Sequence, residues 1–351
     1  MDEPILSVRD LNLKFSLRGQ TLHALRDVSL DVYKGESLAI VGESGSGKSV
    51  LTKCFMGLND QNGFIERGSI RYKVGGAWQE LTSFKKEKDW LTIRGREIAM
   101  VMQDPMTSLN PLRTIGAQIV EAIGLHRKEL SKAEQRKAML DILTDVGIQD
   151  PERRSRQYPH EFSGGMRQRV VIAITIACNP KILICDEPTT ALDVTIQAQI
   201  LNLIKQLVRD RGITAIYITH DLGVVANVAT RIAVMYGGDI VEIGTSEEIF
   251  YDPRHPYTWA LLSSLPQLGV KGEKLYSIQG TQPNLFGRVE GDAFAPRNPY
   301  ALKIDYVKRP PMFDITPTHK ARTWLLDPRA PKVEPPEIIQ KLSRREVNLH
   351  G

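Results

Sequence analysis

One eight-residue loop constrains this chain more than any other feature. Gly42-Glu43-Ser44-Gly45-Ser46-Gly47-Lys48-Ser49 fits the pattern G-x-x-x-x-G-K-[ST]. It sits between a compact apolar run, 37–41, and a stretch at 50–58 that reads as a helix. The chemistry of the pattern needs that setting. Glycines let successive backbone N–H groups curl around phosphate oxygens, and a helix start adds positive potential. A lysine at position 48 reaches the outer phosphates, and a hydroxyl at Ser49 is suited to Mg²⁺. A fold that presents such a loop needs a strand before it and a helix after it, which points to an α/β sheet.

The rest of the first 250 residues agrees. Residues 5–41 read as short β segments: 11–15 and 28–32 alternate, and 37–41 is a buried-type run. Gly75-Gly76 reads as a turn. Residues 114–147 and 163–178 carry helical periodicity. Apolar runs at 181–185 and 213–219 read as strands, with a helix over 195–211 between them. This alternation predicts a parallel α/β sheet covered on both faces, with the helical block as a candidate subdomain.

The run 181–185 ends in Asp186-Glu187. An acid at a strand's C-terminal end lies at the ligand-binding mouth of a parallel sheet. Alone, such a pair more often caps the next helix. In a chain that also has a phosphate loop, Asp186 is placed to hold Mg²⁺ and Glu187 to polarise an attacking water.

Phe162-Ser163-Gly164-Gly165-Met166-Arg167-Gln168-Arg169 resembles the signature segment of the nucleotide-binding subunits of ATP-binding-cassette (ABC) transporters, with Phe162 where leucine is usual. Other motifs follow in that family's order. Gln103 resembles the Q-loop glutamine, Ala191-Leu192-Asp193 the D-loop, and His220 the switch histidine. Phe15 resembles the aromatic that stacks on adenine, an interaction worth roughly 1–3 kcal/mol. The resemblance covers 5–250 and implies a RecA-like phosphate-loop cassette with an antiparallel β subdomain and a helical subdomain at about 104–178. It implies ATP held by Phe15, Gly42 through Val50, Ser163, Gly164, Gly165 and Asp193. It also implies Mg²⁺ at Ser49, Gln103 and Asp186, and catalysis by Lys48, Gln103, Glu187 and His220. In the family two such chains close head to tail, so Ser163, Gly164 and Gly165 would contact the partner's ATP.

Residues 95–111 and Asp252-Pro253-Arg254-His255-Pro256-Tyr257-Thr258 resemble the oligopeptide and dipeptide importers. In that branch the ATPase works with a second related ATP-binding subunit, two transmembrane permeases and an extracellular or periplasmic peptide-binding protein. The permeases would dock on roughly 78–120. The chain is thus expected at the cytoplasmic face of the cell membrane, without nucleic-acid partners. A nickel or other small-solute importer is the same-fold alternative. A non-transport ABC ATPase acting on DNA or the ribosome is the more distant one.

A C-terminal extension, 251–330, follows the cassette, and 331–351 reads as a basic, flexible tail. Many relatives carry four cysteines there that bind an iron–sulfur cluster. Here the matching positions hold Asp292, Asn298, Asp305 and Thr323, and the three cysteines all lie earlier, at 54, 178 and 185. Clusters need thiolate ligands, so no iron–sulfur cluster is expected of this chain. Residues 271–351 hold 14 Lys/Arg against 9 Asp/Glu, so the net charge of +5 falls entirely within them. That excess suggests an approach to an anionic membrane surface. Three cysteines without paired spacing suggest a reducing compartment. Neither a secretion signal nor a membrane-length apolar run is visible.

Overall fold

The computed structural model describes residues 3–102, 108–189, 192–265, 278–287 and 289–345. Gln103, Ala191 and the last part of the tail, 346–351, lie outside the described residues. The chain divides into two compact units, one of 1–83 with 218–351 and one of 84–217.

The first unit opens with two long strands, β1 (Pro4–Leu17) and β2 (Gln20–Tyr33), rather than short segments. They pair antiparallel with register shifts between Val8 and Leu11 and between Leu11 and Leu13. Asp10 and Asp27 sit there in the left-handed region, at φ 46° and 50°. Such bulges break the two-residue alternation, so one continuous strand looks like several in sequence. β4 (Gly63–Val74) and β5 (Ala77–Glu80) complete an antiparallel sheet of order β2-β1-β4-β5. Gly75 and Gly76, both at positive φ, make the expected hairpin turn.

The same unit holds β3 (Ser37–Val41), parallel to β9 (Arg231–Tyr236). Leu38 through Val41 are fully buried, as the continuous apolar run requires. β10 (Asp239–Thr245) pairs antiparallel with β9. The C-terminal extension adds β12 (Lys320–Ala321) to β10 and β11 (Phe313–Asp314) to β12.

The extension is held by buried and half-buried polar contacts. Glu242 of β10 accepts from the Arg254 and His255 N–H groups at 2.6 and 3.1 Å, and pairs with His319 Nε2 at 2.8 Å. Arg309 bridges Asp27 and Asp239, each at 2.6 Å. Three of the extension's basic residues, Arg297, Arg309 and Arg322, therefore face acids of the preceding chain.

The second unit pairs β6 (Ile98–Val101) parallel with β7 (Ile182–Asp186), and β8 (Thr214–Thr219) flanks β7. The periodicity over 114–147 resolves into two helices, Ile115–His126 and Lys132–Asp145. Ser131 and Glu134 form a capping box that starts the second. Helix Gly164–Ile176 packs against β6 and against helix Val194–Arg211, and Gly212 at φ 62° closes the latter. Among the described residues, no helix is long and apolar enough to cross a membrane.

Candidate nucleotide-binding site

The phosphate loop leaves β3 and enters a helix that begins at Lys48 and ends at Cys54, earlier at both ends than the sequence pattern suggests. Its glycines are required by space and by conformation. Gly42, Gly45 and Gly47 have φ of 150°, 78° and 102°. A Cβ at Gly42 would lie 2.1 Å from the Met235 carbonyl oxygen, and one at Gly47 would lie 2.9 Å from that of Ala24. Such contacts forbid any side chain, so the backbone curls as a bare cradle. That cradle fits phosphate.

Lys48 is only 5 % exposed, and its Nζ donates to the Gly42 and Glu43 carbonyls at 2.7 and 2.8 Å. The ammonium is thus fixed beside the loop. Ser46 is buried, while Ser44 and Gly45 face solvent. Phe15 is half-buried on β1, opposite Leu22 and Gly63, with its ring edge where a Gly63 Cβ would stand.

Three residues beyond the motif also contact this loop, and the sequence reading did not single them out. The Glu43 N–H donates to the Tyr257 hydroxyl at 2.8 Å. Arg297 pairs with the Glu43 carboxylate, and the Gln282 side-chain amide donates to the Ser44 carbonyl. Tyr236, Tyr257 and Phe294 pack around the same spot with centroids 4.5 to 5.2 Å apart, Phe294 edge to face with both tyrosines. Tyr257 lies in a stretch whose likeness to the peptide importers is visible, but nothing in its pattern tells which atom it meets.

In the second unit, β7 ends at Asp186, and Glu187 follows at φ 44°. A left-handed glutamate costs on the order of 1–2 kcal/mol, which marks a turn held by its surroundings. Gln168 is buried in helix Gly164–Ile176 and its Nε2 donates to the Pro188 carbonyl at 2.7 Å. The signature helix therefore holds the turn that carries Glu187. Cys185, below the pair, has its thiol pushed up by burial and by Asp186, so it is no nucleophile.

Ser163 caps its helix by accepting from the Met166 N–H, and Ser163 and Gly164 are exposed. This thirteen-residue helix thus begins at the surface, and a helix N-terminus suits an anion. A Cβ on Gly165 would lie 2.7 Å from Ile196 Cγ2, so glycine is needed for the close approach of two helices. Phe162 is buried with Arg154 over its ring, which accounts for an aromatic at the leucine position. Asp193 caps the next helix by accepting from the Ile196 N–H at 3.0 Å. His220 follows β8 and is exposed.

Asp292, Asn298, Asp305 and Thr323, the positions expected above to correspond to cluster cysteines, are engaged locally. Asp292 accepts from the Phe294 N–H, Asn298 from Tyr300, Asp305 from Leu302 and Thr323 from Leu325. Each oxygen closes its own turn. The Ser49 hydroxyl and the Asp186 carboxylate each offer a hard oxygen, the kind of donor that Mg²⁺ takes. Among the described residues, no group of three or more His, Cys, Asp or Glu is arranged to hold a metal by itself.

A strand, a glycine cradle with a buried lysine, and an acid pair ending a parallel strand define the class: a phosphate-loop nucleotide-binding protein. The family model "ABC transporter" matches residues 25–190, and "Oligopeptide/dipeptide transporter, C-terminal region" matches 241–304. The chain is 56 % identical over 338 residues to the oligopeptide transport ATP-binding protein AmiE of Streptococcus pneumoniae, covering 96 % of this chain and 94 % of AmiE. It is 52 % identical over 350 residues to the dipeptide transport ATP-binding protein DppD of Lactococcus lactis, covering 100 % and 99 %. A solved dimer of the cassette MJ0796 in a post-hydrolysis state with ADP and phosphate matches with TM-score 0.59 at 27 % identity, covering 69 % of this chain and 98 % of that one. The chain belongs to the ATP-binding proteins of ABC transporters, in the oligopeptide and dipeptide branch. It is an ATPase.

Proposed function

We propose that this chain hydrolyses ATP to drive oligopeptides or dipeptides through two permease subunits, as one of two related ATP-binding subunits at the cytoplasmic face of the membrane. An extracellular or periplasmic binding protein delivers the peptide. The observation that carries the reading is identity above half with peptide-transport ATP-binding proteins over nearly the whole chain. It is joined to a glycine cradle that leaves no room for side chains.

In this mechanism the Gly42–Ser49 backbone and Lys48 bind the β- and γ-phosphates, Val50 continues the loop into its helix, and Phe15 stacks on adenine. Ser49, Asp186 and Gln103 would hold Mg²⁺, which when bound would neutralise charge on the phosphates. Glu187 accepts the proton of the attacking water, and His220 orients that water. The γ-phosphoryl group passes to water, leaving ADP and phosphate. Ser163, Gly164 and Gly165 present N–H groups to the partner chain's ATP, and Asp193 borders the shared face. Closure of the pair is passed to permease helices docked on residues 78–120. Purification from membranes with the associated chains identified tests this. Two permeases, a second ATP-binding subunit and a peptide-binding protein are expected. Recovery with ribosomes or DNA would overturn it.

A further inference from the structure

Arg297 lies in the C-terminal extension, 254 residues from Glu43 of the phosphate loop, yet the two form a bidentate pair. Nη1 meets Oε2 at 2.6 Å and Nη2 meets Oε1 at 3.1 Å. The Arg297 side chain is 5 % exposed and that of Glu43 is 25 % exposed, so water screens the pair weakly. Every other donor of the guanidinium is also used. Nε donates to the Gln279 carbonyl at 2.9 Å, Nη2 to that of Ile278 at 3.3 Å, and Nη1 to the Tyr236 hydroxyl at 3.2 Å. Five N–H groups thus meet five acceptors, a geometry that lysine does not offer.

The result is a strap. Arg297 fastens 278–279 beside the phosphate loop, and Gln282 then reaches the loop itself. The Gln282 amide donates to the Ser44 carbonyl, and its Oε1 lies 3.1 Å from where a Gly45 Cβ would stand. Beyond it, the Leu285 carbonyl accepts from the His23 N–H of β2 at 2.9 Å, which ties down the strap's far end. Glu43 is the one acid in a loop that must accept a polyanion. An unpaired carboxylate there opposes phosphate by like-charge repulsion.

We propose that Arg297 and Gln282 are positioning residues for nucleotide binding, through which the C-terminal extension neutralises Glu43 and fixes the shape of the phosphate loop. The proposal rests on the phosphate-loop reading. It makes the extension part of the nucleotide site and gives it a role that needs no iron–sulfur cluster.

The test is calorimetric titration of the purified full chain with ATP and Mg²⁺. Arg297→Ala should weaken ATP binding about tenfold, and Arg297→Lys should lose less. The deciding variant is Arg297→Ala combined with Glu43→Gln, which removes the unpaired charge and should recover at least threefold. Packing alone predicts no such recovery. Gln282→Ala, at an exposed position, should weaken binding about threefold and reads the strap even if Arg297→Ala does not fold. Affinity within twofold of the parent in Arg297→Ala, an unrecovered double variant, or an unchanged Gln282→Ala would each overturn the proposal. Lys48→Ala separates the two readings. If the parent binds ATP no better than Lys48→Ala, the phosphate-loop reading itself fails and the proposal with it.

Discussion

Replacing Asp292 with Asn should make the extension more stable at high pH and change little at low pH. Asp292 lies in the C-terminal extension, and burial pushes its carboxyl up to about 7 from 3.8. The Phe294 N–H opposes that shift, Asp305 and Asp239 add to it, and Arg26 counters it. A carboxyl with a folded pKa above its unfolded value stabilises the fold fully below about pH 4, and loses that contribution as pH rises through 7. At about 1.4 kcal/mol per unit, the loss between pH 5 and pH 8 is at most roughly 2–3 kcal/mol. Part of Asp292 still touches water, and screening there takes off roughly half, leaving about 1 kcal/mol. Asparagine keeps the acceptor for the Phe294 N–H but cannot ionise. The assay is urea unfolding at pH 5 and pH 8, followed by fluorescence of Trp259 and Trp324, both buried near or within the extension. Asp292→Asn should gain about 1 kcal/mol on the parent between those pH values. An equal pH dependence in both proteins would refute the reasoning.

Gly42→Ala forces a Cβ to within 2.1 Å of the Met235 carbonyl, so the loop must open. Overpacking of this kind costs about 1–3 kcal/mol, and ATP affinity measured by titration should fall more than about tenfold. The purified protein should show no iron-dependent visible absorption band, because the four cluster positions supply oxygen rather than thiolate. An iron-dependent band would mean that ligands come from elsewhere.

The phosphate loop was legible because its glycines answer to a local demand. Gly42 and Gly47 meet backbone atoms, and only one residue type survives there. The buried strands were legible for the same reason, since Leu38–Val41 and Ile182–Cys185 are enclosed on both sides. The first two strands were not, because bulges at Asp10 and Asp27 hide a continuous pairing from a period-two pattern. The break between the two helices at 127–131 carried a signal, Ser131 with Glu134, that the periodicity masked. The contacts of Arg297, Gln282 and Tyr257 with the loop carry no local signature, since each spans more than two hundred residues. The excess charge of the extension also looks different in three dimensions. Arg297, Arg309 and Arg322 are turned to Glu43, Asp27 and Asp239, so part of that charge serves docking within the chain rather than a membrane surface.

The central claim is that Glu187-dependent ATP hydrolysis powers peptide uptake. Its most direct test is uptake of a labelled oligopeptide by vesicles containing the permeases, the binding protein and both ATP-binding subunits. The account predicts ATP-dependent accumulation with the parent chain. With Glu187→Gln it predicts accumulation at least about a hundredfold slower while ATP still binds, as expected for loss of a general base. Accumulation at the parent rate with Glu187→Gln, or none with the parent chain, would contradict it.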